Sequence, residues 1–416
     1  MKENFKLIKR KIIKILPEIS ERKIVLITGA RQTGKTTLAK NLYKSLKYIN
    51  LDAPENREIL REISTFNWSR DVGNAIIDEA QKEPSIFEKV KYSFDNNSIN
   101  FTVILGSSQI LLIKRIREIL TGRIWIYELF PFLMSELNNN YEDTIFEKII
   151  KNKKKIDDIL EFEPKILFEK DNIYKNTENL ILQYGSMPPI IHFTNDEERK
   201  EWLKDYTYTY LERDLSDLVR LNDLMPFLKL QQLSALRCSK LLNYSEIARD
   251  CSISTDTAKR YIEYLKISYH AFLLYPYYKN ITSSLIKTPK IYWIDTGILR
   301  SVISNWSNLI TGEIFENMIV SEVYKLIKTM HLDTKIYFYR TRTGMEIDLL
   351  LEIEGKLIGI EIKNRKNIIR KDYKNLKIIG EKVGDNWLGG IVLYRGNMMK
   401  KIDKNLWIIP SYRFFN

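Results

Sequence analysis

The sequence predicts an α/β fold class: a parallel sheet with helices on both faces, followed by a helical lid, a helix-turn-helix module and a second α/β domain. Three observations support it. Short apolar runs alternate with helical segments before residue 138, a glycine-rich segment joins the first run to a helix, and two amphipathic runs near residues 346–363 are typical of a hairpin. At 416 residues the chain exceeds what one hydrophobic core usually organises, so several domains are expected.

Composition narrows the class of partner and compartment. The formal net charge is +13, which suits a polyanionic partner such as DNA but also fits a lysine-rich chain without one. Two cysteines and three scattered histidines predict neither a disulfide framework nor a zinc site, so a cytoplasmic location is expected. No stretch is apolar for long enough to cross a bilayer, so no membrane partner is predicted. Residues 1–20 are predicted to form an amphipathic helix rather than a signal peptide.

The central motif follows the apolar run 24–27 and precedes a helical segment that begins at Leu38. It has the pattern G-x-x-x-x-G-K-[ST], whose backbone amides cradle a phosphate chain. The lysine would contact the outer phosphates, and the first threonine offers a hydroxyl to Mg²⁺. A glycine-rich turn that spells the pattern by chance is disfavoured by the strand before it and the helix after it. The predicted ATP-binding residues are Gly29, Ala30, Arg31, Gln32, Thr33, Gly34, Lys35, Thr36 and Thr37.

Two adjacent acids end a later strand. The run 75–79 is apolar up to Asp78 and Glu79, and another strand is predicted at 48–52. In phosphate-loop hydrolases the first acid holds Mg²⁺ and the second activates the attacking water. Adjacent residues on a strand point in opposite directions, so the two acids can serve different partners. The alternative is that both acids are simply exposed at the end of an ordinary strand. The presence of the Gly29–Thr36 motif in the same predicted sheet disfavours this alternative.

Two further strands complete the predicted sheet, at 101–105 and 124–129. Ser108 follows the first of them and is the predicted γ-phosphate sensor, with Ser107 the next choice. Arg123 precedes the second. It could contact phosphate within its own chain or across a subunit boundary, or it could be a surface arginine.

The middle of the chain is predicted to be helical. Residues 138–176 are predicted to form helical connections with solvated faces. Tyr184–Pro189 is predicted to form a rigid corner that either packs on a nucleotide base or joins two helices. Residues 244–250 and a second helix capped by Ser254 or Thr255 have helix-turn-helix spacing. The second helix would expose Lys259 and Arg260. Two basic residues favour a structural role for this module over DNA reading.

A second group of charged residues lies near the carboxyl end. A two-residue turn at Glu354-Gly355 would place Asp348 opposite Glu361, with Lys363 on the same face. Two carboxylates and a lysine can hold Mg²⁺ and position a water against a phosphodiester, although any amphipathic hairpin also has a charged, solvated face. Glu316, and less so Glu322, faces the apolar side of helix 313–328 and is predicted to complete the metal site.

Together these motifs resemble those of AAA-type ATPases of archaea and bacteria that carry a carboxyl-terminal domain of unknown function. The resemblance implies a P-loop ATPase core, a helical lid, a winged-helix module and a restriction-endonuclease-like domain. In that nuclease pattern Asp348, Glu361 and Lys363 match the acid, acid and lysine positions, and Glu316 matches the helical acid. The resemblance spans about residues 15–400 and rests on the motifs at 29–37, 75–81, 106–109, 120–123, 128–132, 210–214, 315–316, 346–350 and 361–363.

The predicted domains are an N-terminal helix (1–20), the ATPase core (21–138), a helical linker and lid (139–232), the winged-helix or helix-turn-helix module (233–276) and the nuclease-like domain (277–416). We expect an ATPase that uses ATP and Mg²⁺ and moves its carboxyl-terminal domains, which would bind or cleave DNA. The alternative is a nucleotide-controlled switch or scaffold whose last domain only binds a protein partner. Self-association is a further open possibility.

Overall fold

The computed structural model describes residues 7–106, 116, 118–164, 169–218, 224–278, 287–341 and 343–416. Its first sheet has five parallel strands in the order β2-β3-β4-β1-β5, so β1 and β3 flank β4. All five predicted strands form. They are β1 (Lys23–Thr28), β2 (Lys47–Asn50), β3 (Ala75–Asp78), β4 (Phe101–Gly106) and β5 (Ile124–Glu128).

Helices cover both faces of this sheet, as predicted. One face buries Leu38 of the first helix, and the other buries Leu60, Trp68 and Phe87 of the next three. Each face therefore has its own apolar core, as expected for an α/β sheet buried on both sides. The helices are α1 (Lys35–Leu42), α2 (Pro54–Glu62), α3 (Trp68–Asp71) and α4 (Ile86–Asp95).

The predicted amphipathic helix over residues 1–20 is wrong for the described part of that segment. From Leu7 onward it forms a single 3₁₀ turn, Lys11–Lys14. Arg10 and Lys11 are buried and ion-paired with Glu136 and Glu147, respectively. Because these two consecutive cations both reach carboxylates in the interior, the segment lies against the protein rather than forming a helix with one solvated face.

The predicted linker is part of the carboxyl-terminal core. Helices α5 (Met134–Leu137), α6 (Ile145–Asn152), α7 (Asp157–Leu160) and α8 (Glu169–Tyr184) follow the first sheet. Apolar residues of this region, among them Phe146 and Leu160, are buried in the same cluster as Leu349 and Trp407. Trp407 Nε1 also donates to Asp157 Oδ1 at 2.7 Å. The helical prediction is confirmed: these helices have a solvated face, with Lys151 and Asn152 exposed, and a buried face that joins the core.

The middle of the chain forms one packed unit. The predicted helix-turn-helix is present, and Ser254 Oγ caps its second helix by accepting from Thr257 N at 3.1 Å. An antiparallel strand pair follows it, so the predicted boundary at residue 277 falls between two paired strands. The elements are α9 (Pro188–His192), α10 (Asp196–Leu218), α11 (Met225–Leu236), α12 (Tyr244–Asp250), α13 (Thr255–Ile267), β6 (Ala271–Leu274), β7 (Lys290–Trp293) and α14 (Thr296–Val302).

The second large sheet has six strands in the order β12-β13-β11-β10-β9-β8. Strands β10, β11 and β13 are parallel, and β9 and β10 form the predicted hairpin, with Glu354 and Gly355 at positive φ in its turn. Apolar clusters bury both faces. The elements are α15 (Gly312–Thr329), β8 (Lys335–Arg340), β9 (Glu346–Ile353), β10 (Lys356–Lys363), α16 (Lys374–Val383), β11 (Trp387–Tyr394), β12 (Lys400–Asp403), β13 (Leu406–Pro410) and α17 (Ser411–Phe414).

Across the ranges that the structure describes, no helix combines the length and apolar character needed to cross a membrane.

Candidate functional site

The loop between β1 and α1 has the backbone that its glycines predict. Gly29 adopts φ +147°, and a Cβ there would lie 2.1 Å from the Leu129 carbonyl oxygen, so only glycine fits. Gly34 adopts φ +93° and lies immediately before α1. These two positions turn the chain so that the loop closes over the N-terminus of α1, where backbone N–H groups and the helix dipole favour an anion.

The lysine and first threonine of the motif lie where a phosphate and its metal would bind. Lys35 is buried, and its Nζ donates to the Gly29 and Ala30 carbonyl oxygens, both at 2.8 Å. Thr36 Oγ1 donates to Asp78 Oδ2 at 2.6 Å. The structure therefore brings the β1 loop and the end of β3 together, although 42 residues separate this hydroxyl and carboxylate in the sequence.

Asp78 and Glu79 differ in their surroundings, as two acids with different roles would. Asp78 is buried, and its Oδ2 also accepts from the Tyr48 hydroxyl at 2.9 Å. Glu79 has φ +52°, a strained conformation for a residue with a side chain, and its backbone N–H donates to Asp78 Oδ1 at 2.9 Å. The strained residue carries the second carboxylate, whose Oε2 accepts from Gln81 Nε2.

A cavity of about 610 Å³ contains these groups. Arg31, Gln32, Gly34 and residues 35–37 form one wall, with Asp78 and Glu79 beside them. Opposite stand Pro188, Pro189, His192 and Phe193, which come from the predicted rigid corner and helix α9. The corner lies at the cavity and also joins α8 to α9, as the second of its predicted roles requires; its packing on a nucleotide base stays a prediction.

A second, more apolar cavity of about 490 Å³ shares Gly34, Thr37, Pro188 and His192 with the first. Its walls come from the N-terminal segment, helix α1 and Phe132. Arg10 forms part of this wall: its guanidinium lies 4.5 Å from the Phe132 ring centre, and its Nη1 donates to the Thr33 carbonyl at 3.0 Å. The two cavities together offer a polar end for phosphates and an apolar end for a flat ring.

Two other predicted nucleotide contacts are Ser108 and Arg123. Ser108, with Ser107, lies outside the described residues. Arg123 precedes β5, whose first residue pairs with Ile24 near the start of β1, so it lies at the amino edge of the sheet. The phosphate loop follows the other end of β1, roughly 16 Å away for a six-residue strand. Arg123 instead pairs with Asp95 at 2.5 Å, so a phosphate contact within its own chain is wrong; contact across a subunit boundary stays a prediction.

The corner is fastened to the rest of the chain by buried hydrogen bonds. Ser186 N donates to Asp295 Oδ2 at 2.7 Å, and Phe132 N donates to the Ser186 carbonyl at 2.9 Å. A Cβ on Gly185 would lie 2.0 Å from Asp295 Oδ1, and one on Gly297 would lie 2.0 Å from the Tyr184 carbonyl. The corner and the start of α14 are therefore in direct contact, with no space for a side chain between them.

The structure gathers the predicted carboxyl-terminal residues. The paired part of β9 and β10 ends at Leu349 opposite Ile360, so Asp348 and Glu361 are the next residues on the two strands. Lys363 Nζ lies 3.2 Å from Asp348 Oδ2 and 2.6 Å from Glu361 Oε2. Burial raises the pKa of Glu361, and the negative charge of Asp348 raises it further. Glu361 is buried and the Asp348 side chain is only 16% exposed, so the alternative of a solvated charged face is wrong.

A second lysine, which the sequence did not single out, joins this cluster. Lys290 Nζ lies 3.3 Å from Glu316 Oε1 and 2.7 Å from Glu346 Oε1, and the Tyr292 hydroxyl donates to Glu316 Oε1 at 2.6 Å. Burial raises the pKa of Glu316, and Asp348 adds to that effect. Burial acts to lower the pKa of Lys290, but its carboxylate neighbours outweigh it and the pKa is raised. We call Glu316, Glu346, Asp348, Glu361, Lys290 and Lys363 the carboxylate–lysine cluster.

This arrangement corrects the predicted divalent metal site at Glu316, Asp348 and Glu361. Within the described ranges, no three histidine, cysteine or acidic side chains stand where they could hold one metal ion. The physical reason is charge compensation: besides the predicted Lys363, the ammonium group of Lys290 lies beside Glu316, where a metal ion was expected. Glu322, the other predicted inward acid, pairs with Lys325 at 2.7 Å and accepts from Met134 N at 2.5 Å.

The contacts of Lys290 and Arg10 were not predicted from the sequence. Lys290 is the first residue of an apolar strand, and Arg10 lies in a lysine-rich segment with no motif of its own. The prolines of the corner gave a signal, since two prolines after a glycine marked a rigid turn. For Lys290 and Arg10 the only sequence clue is a cation next to residues that prove to be buried.

Three parts of the chain match family models. Residues 21–138 match one described as an AAA domain, which supports a nucleotide-binding AAA-type ATPase core. Residues 177–308 and 311–414 match two different domains of unknown function. The break between these two matches follows α14, so β6 and β7 fall within the same matched region.

Related proteins occur in bacteria and archaea. An uncharacterized protein of Mycobacterium tuberculosis is 25% identical over 348 residues, covering 82% of this chain and 70% of the relative. An uncharacterized protein of Methanocaldococcus jannaschii is 22% identical, covering 94% and 87%.

Solved structures give weaker similarities. A signal transduction ATPase with numerous domains from Pyrococcus horikoshii, which has a tetratricopeptide repeat sensor, is 13% identical with a TM-score of 0.27. The alignment covers 78% of this chain and 45% of that one. AMPPCP-bound DnaA from Aquifex aeolicus is 17% identical with a TM-score of 0.25, covering 59% and 83%. TM-scores this low carry no argument about a shared arrangement.

Proposed function

We propose that this chain is a Mg²⁺-dependent ATPase whose nucleotide state is transmitted to its carboxyl-terminal domain. The observation that carries the proposal is the 2.6 Å contact between Thr36 Oγ1 and Asp78 Oδ2, next to the buried amine of Lys35. A hydroxyl and a carboxylate oxygen in contact are oxygen donors of the kind that Mg²⁺ takes beside a phosphate chain. The residues present therefore fit the metal, which would neutralise charge on the phosphates.

The remaining roles follow from position in the two cavities. Lys35 Nζ now satisfies two loop carbonyls, so a phosphate oxygen arriving in the loop would offer the amine a stronger, charged acceptor. Glu79 lies beside Asp78 at the cavity wall, where it would orient a water and accept its proton. The adenine ring of ATP would lie in the apolar cavity, between the N-terminal segment and Pro188.

Transmission to the other domain is supported by the corner. Pro188 and Pro189 line the nucleotide cavity, and two residues earlier Ser186 is held by Asp295. Asp295 follows β7 by two residues, and β7 carries Lys290 and Tyr292 into the carboxylate–lysine cluster. A ligand that shifts the corner would therefore move the strand that supplies this cluster with a lysine.

The test compares two lysine substitutions in α1. Lys35→Ala should lower the rate of ATP hydrolysis by about 100-fold or more, because a preorganised donor to the transferring phosphate is lost. Lys40→Ala is the matched control, since Lys40 is exposed in the same helix and does not line either cavity. Both variants should keep the wild-type fold, which circular dichroism checks. An unchanged rate for Lys35→Ala, or an equal loss in both variants, would contradict the ATPase assignment.

For the carboxyl-terminal domain, a nucleotide-controlled switch or scaffold is favoured by one observation: Lys290 already compensates Glu316, one of the carboxylates expected to hold a metal. DNA binding and metal-dependent cleavage stay predictions. Incubation with DNA and Mn²⁺, beside an Asp348→Ala variant, tests cleavage. Nicking by the wild type alone would favour the nuclease. A stimulation of ATP hydrolysis by DNA would favour a DNA partner, for which the exposed Lys259 and Arg260 of α13 are the nearest candidates in the helix-turn-helix.

A further inference from the structure

A third cavity, of about 690 Å³, lies in the carboxyl-terminal domain, apart from both groups of residues described above. It opens at the carboxyl ends of three parallel strands: Lys366 and Asn367 follow β10, Arg395 follows β11, and Tyr412 follows β13. Helix α8 closes the remaining side. In open α/β sheets the carboxyl ends of parallel strands are the usual place for a ligand.

Three cations line this cavity, which we call the basic pocket: Lys175, Lys366 and Arg395. Arg395 donates to neutral acceptors, at 2.8 Å to Asn179 Oδ1 and at 3.5 Å to Asn364 Oδ1. Lys175 Nζ lies 5.3 Å from the centre of the Tyr412 ring. Among the described residues none of the three cations forms an ion pair with a carboxylate, whereas Lys290 and Lys363 of the carboxylate–lysine cluster do.

The loop that presents Arg395 is held in one shape. The Tyr394 hydroxyl donates to the Met398 carbonyl at 2.7 Å and accepts from Met398 N at 3.1 Å. A Cβ on Gly396 would lie 2.0 Å from the Tyr394 ring, so this position also requires glycine. Arg395 N donates to the Arg365 carbonyl at 3.1 Å. These contacts place the guanidinium before any ligand arrives, which lowers the entropic cost of binding.

One carboxyl group faces the same cavity and limits the charge of the ligand. Glu178 is buried and accepts from the Ser411 hydroxyl. Burial raises the pKa of Glu178 to about 7, although Arg395 and Lys175 act against this effect. The pocket therefore holds three basic side chains against one carboxyl group, which leaves an excess of positive charge. A phosphomonoester, with a charge of about −1.5 to −2 at neutral pH, would balance most of this excess.

We propose that the basic pocket binds the phosphomonoester group of a ligand, either a small phosphorylated compound or the 5′-phosphate of a nucleic-acid strand. The three cations would surround the phosphate, and Asn179 and Asn367 would supply neutral hydrogen bonds. This site is independent of the proposed ATPase, because neither its residues nor its strands line the nucleotide cavities.

The test is calorimetric titration of the full-length protein with ribose 5-phosphate. Lys175→Gln and Arg395→Gln should each weaken binding by about tenfold or more, since hydrogen bonds to charged groups are worth about 1.5–3 kcal/mol. Glu178→Gln should strengthen binding, because it removes a negative charge and keeps the oxygen that accepts from Ser411. Lys404→Gln, an exposed lysine in the turn between β12 and β13, makes the same charge change outside the pocket and should have no effect.

A second arm identifies the source of the phosphate. A short fluorescent single strand of DNA carrying a 5′-phosphate is compared with the same strand ending in a 5′-hydroxyl. Tighter binding of the phosphorylated strand, lost in Arg395→Gln, assigns the pocket to nucleic-acid ends; ribose 5-phosphate binding without this preference assigns it to small compounds.

Three results would overturn the proposal. They are no binding of either probe, equal weakening by Lys404→Gln, and binding that disappears in Lys35→Ala, since that binding would belong to the nucleotide cavity. Loss of affinity in Glu178→Gln, with its unfolding temperature unchanged, would also contradict the charge argument.

Discussion

Replacing Lys290 by methionine tests whether the carboxylate–lysine cluster depends on its own lysine for charge balance. Methionine keeps the length and apolar stem of the side chain and removes the ammonium group. Glu316 and Glu346 would then lose the cation that lies 3.3 and 2.7 Å from their oxygens. We expect a destabilised carboxyl-terminal domain, because carboxylates that are largely out of water would be left without compensation.

The size of the effect follows from the exposure of the partners. Removing one partner of a fully buried ion pair costs about 3–5 kcal/mol of unfolding free energy. The Lys290 side chain is 5% exposed, but Glu316 is 17% and Glu346 is 29% exposed, so water can compensate part of the loss. We therefore expect the lower end of the range, about 3 kcal/mol, when both carboxylates are ionised.

The loss of unfolding free energy in Lys290→Met should depend on pH in a defined direction. Burial already raises the pKa of Glu316 above its ordinary 4.5, so its ionisation reduces stability as the pH rises above that value. Without Lys290 the pKa of Glu316 rises further, and the group can take up a proton at mildly acidic pH. The loss in Lys290→Met should accordingly be about 3 kcal/mol at pH 8 and smaller by about 1 kcal/mol or more at pH 5.5.

Hydrogen exchange of the peptides that cover β9 and β10, measured in increasing urea, reports the stability of this domain separately from the rest. Lys377→Met is the control, because Lys377 pairs with Asp403 at the surface, where the two side chains are 40% and 52% exposed. That change should cost less than about 1 kcal/mol. A loss in Lys290→Met no greater than in the control, or an equal loss at both pH values, would refute the reasoning.

Three other predictions concern the nucleotide site. Asp78→Asn should remove most of the Mg²⁺-dependent part of ADP affinity, measured by titration with and without EDTA, whereas an unchanged Mg²⁺ dependence would exclude Asp78 as a metal ligand. Pro188→Gly should weaken ADP binding severalfold through loss of an apolar wall shared by both cavities; the same affinity as the wild type would place the base elsewhere. Gly185→Ala should lower the unfolding free energy by about 1–3 kcal/mol, because φ there is +76° and the new methyl would meet Asp295, and a thermal midpoint equal to the wild type would show that the corner can relax.

The first sheet could be predicted because its signals are local. Each strand is a short apolar run, and the phosphate motif carries its own glycines, so neighbouring residues specify both the element and its chemistry. The position of Arg123 follows from the direction of the parallel strands rather than from its neighbours in the sequence. A residue that precedes a parallel strand lies at the amino edge of the sheet, and the ligand lies at the carboxyl edge. Applying that rule to β5 would have excluded the contact within the chain.

The carboxylate–lysine cluster depends partly on contacts between distant parts of the chain, which local sequence patterns do not predict. The turn at Glu354-Gly355 fixes the β9–β10 register, so the meeting of Asp348, Glu361 and Lys363 could be predicted from spacing alone. Lys290 reaches Glu346 from a strand 56 residues earlier in the chain, and no periodic pattern links the two. Whether a group of acids holds a metal or a lysine depends on such distant contacts, which the sequence pattern of either partner does not contain.

Strand β7 gives the two sites a common physical element. At one end it continues to Asp295, which is bonded to Ser186 in the corner that walls the nucleotide cavity. At the other end it delivers Lys290 to Glu316 and Glu346. Gly185 and Gly297 leave no gap across which the corner could shift without moving Asp295. If nucleotide binding moves the corner and with it Lys290, then nucleotide binding and protonation of Glu316 are coupled, and the coupling is reciprocal. Charge balance in the cluster would then alter nucleotide affinity, although no member of the cluster lines the nucleotide cavity.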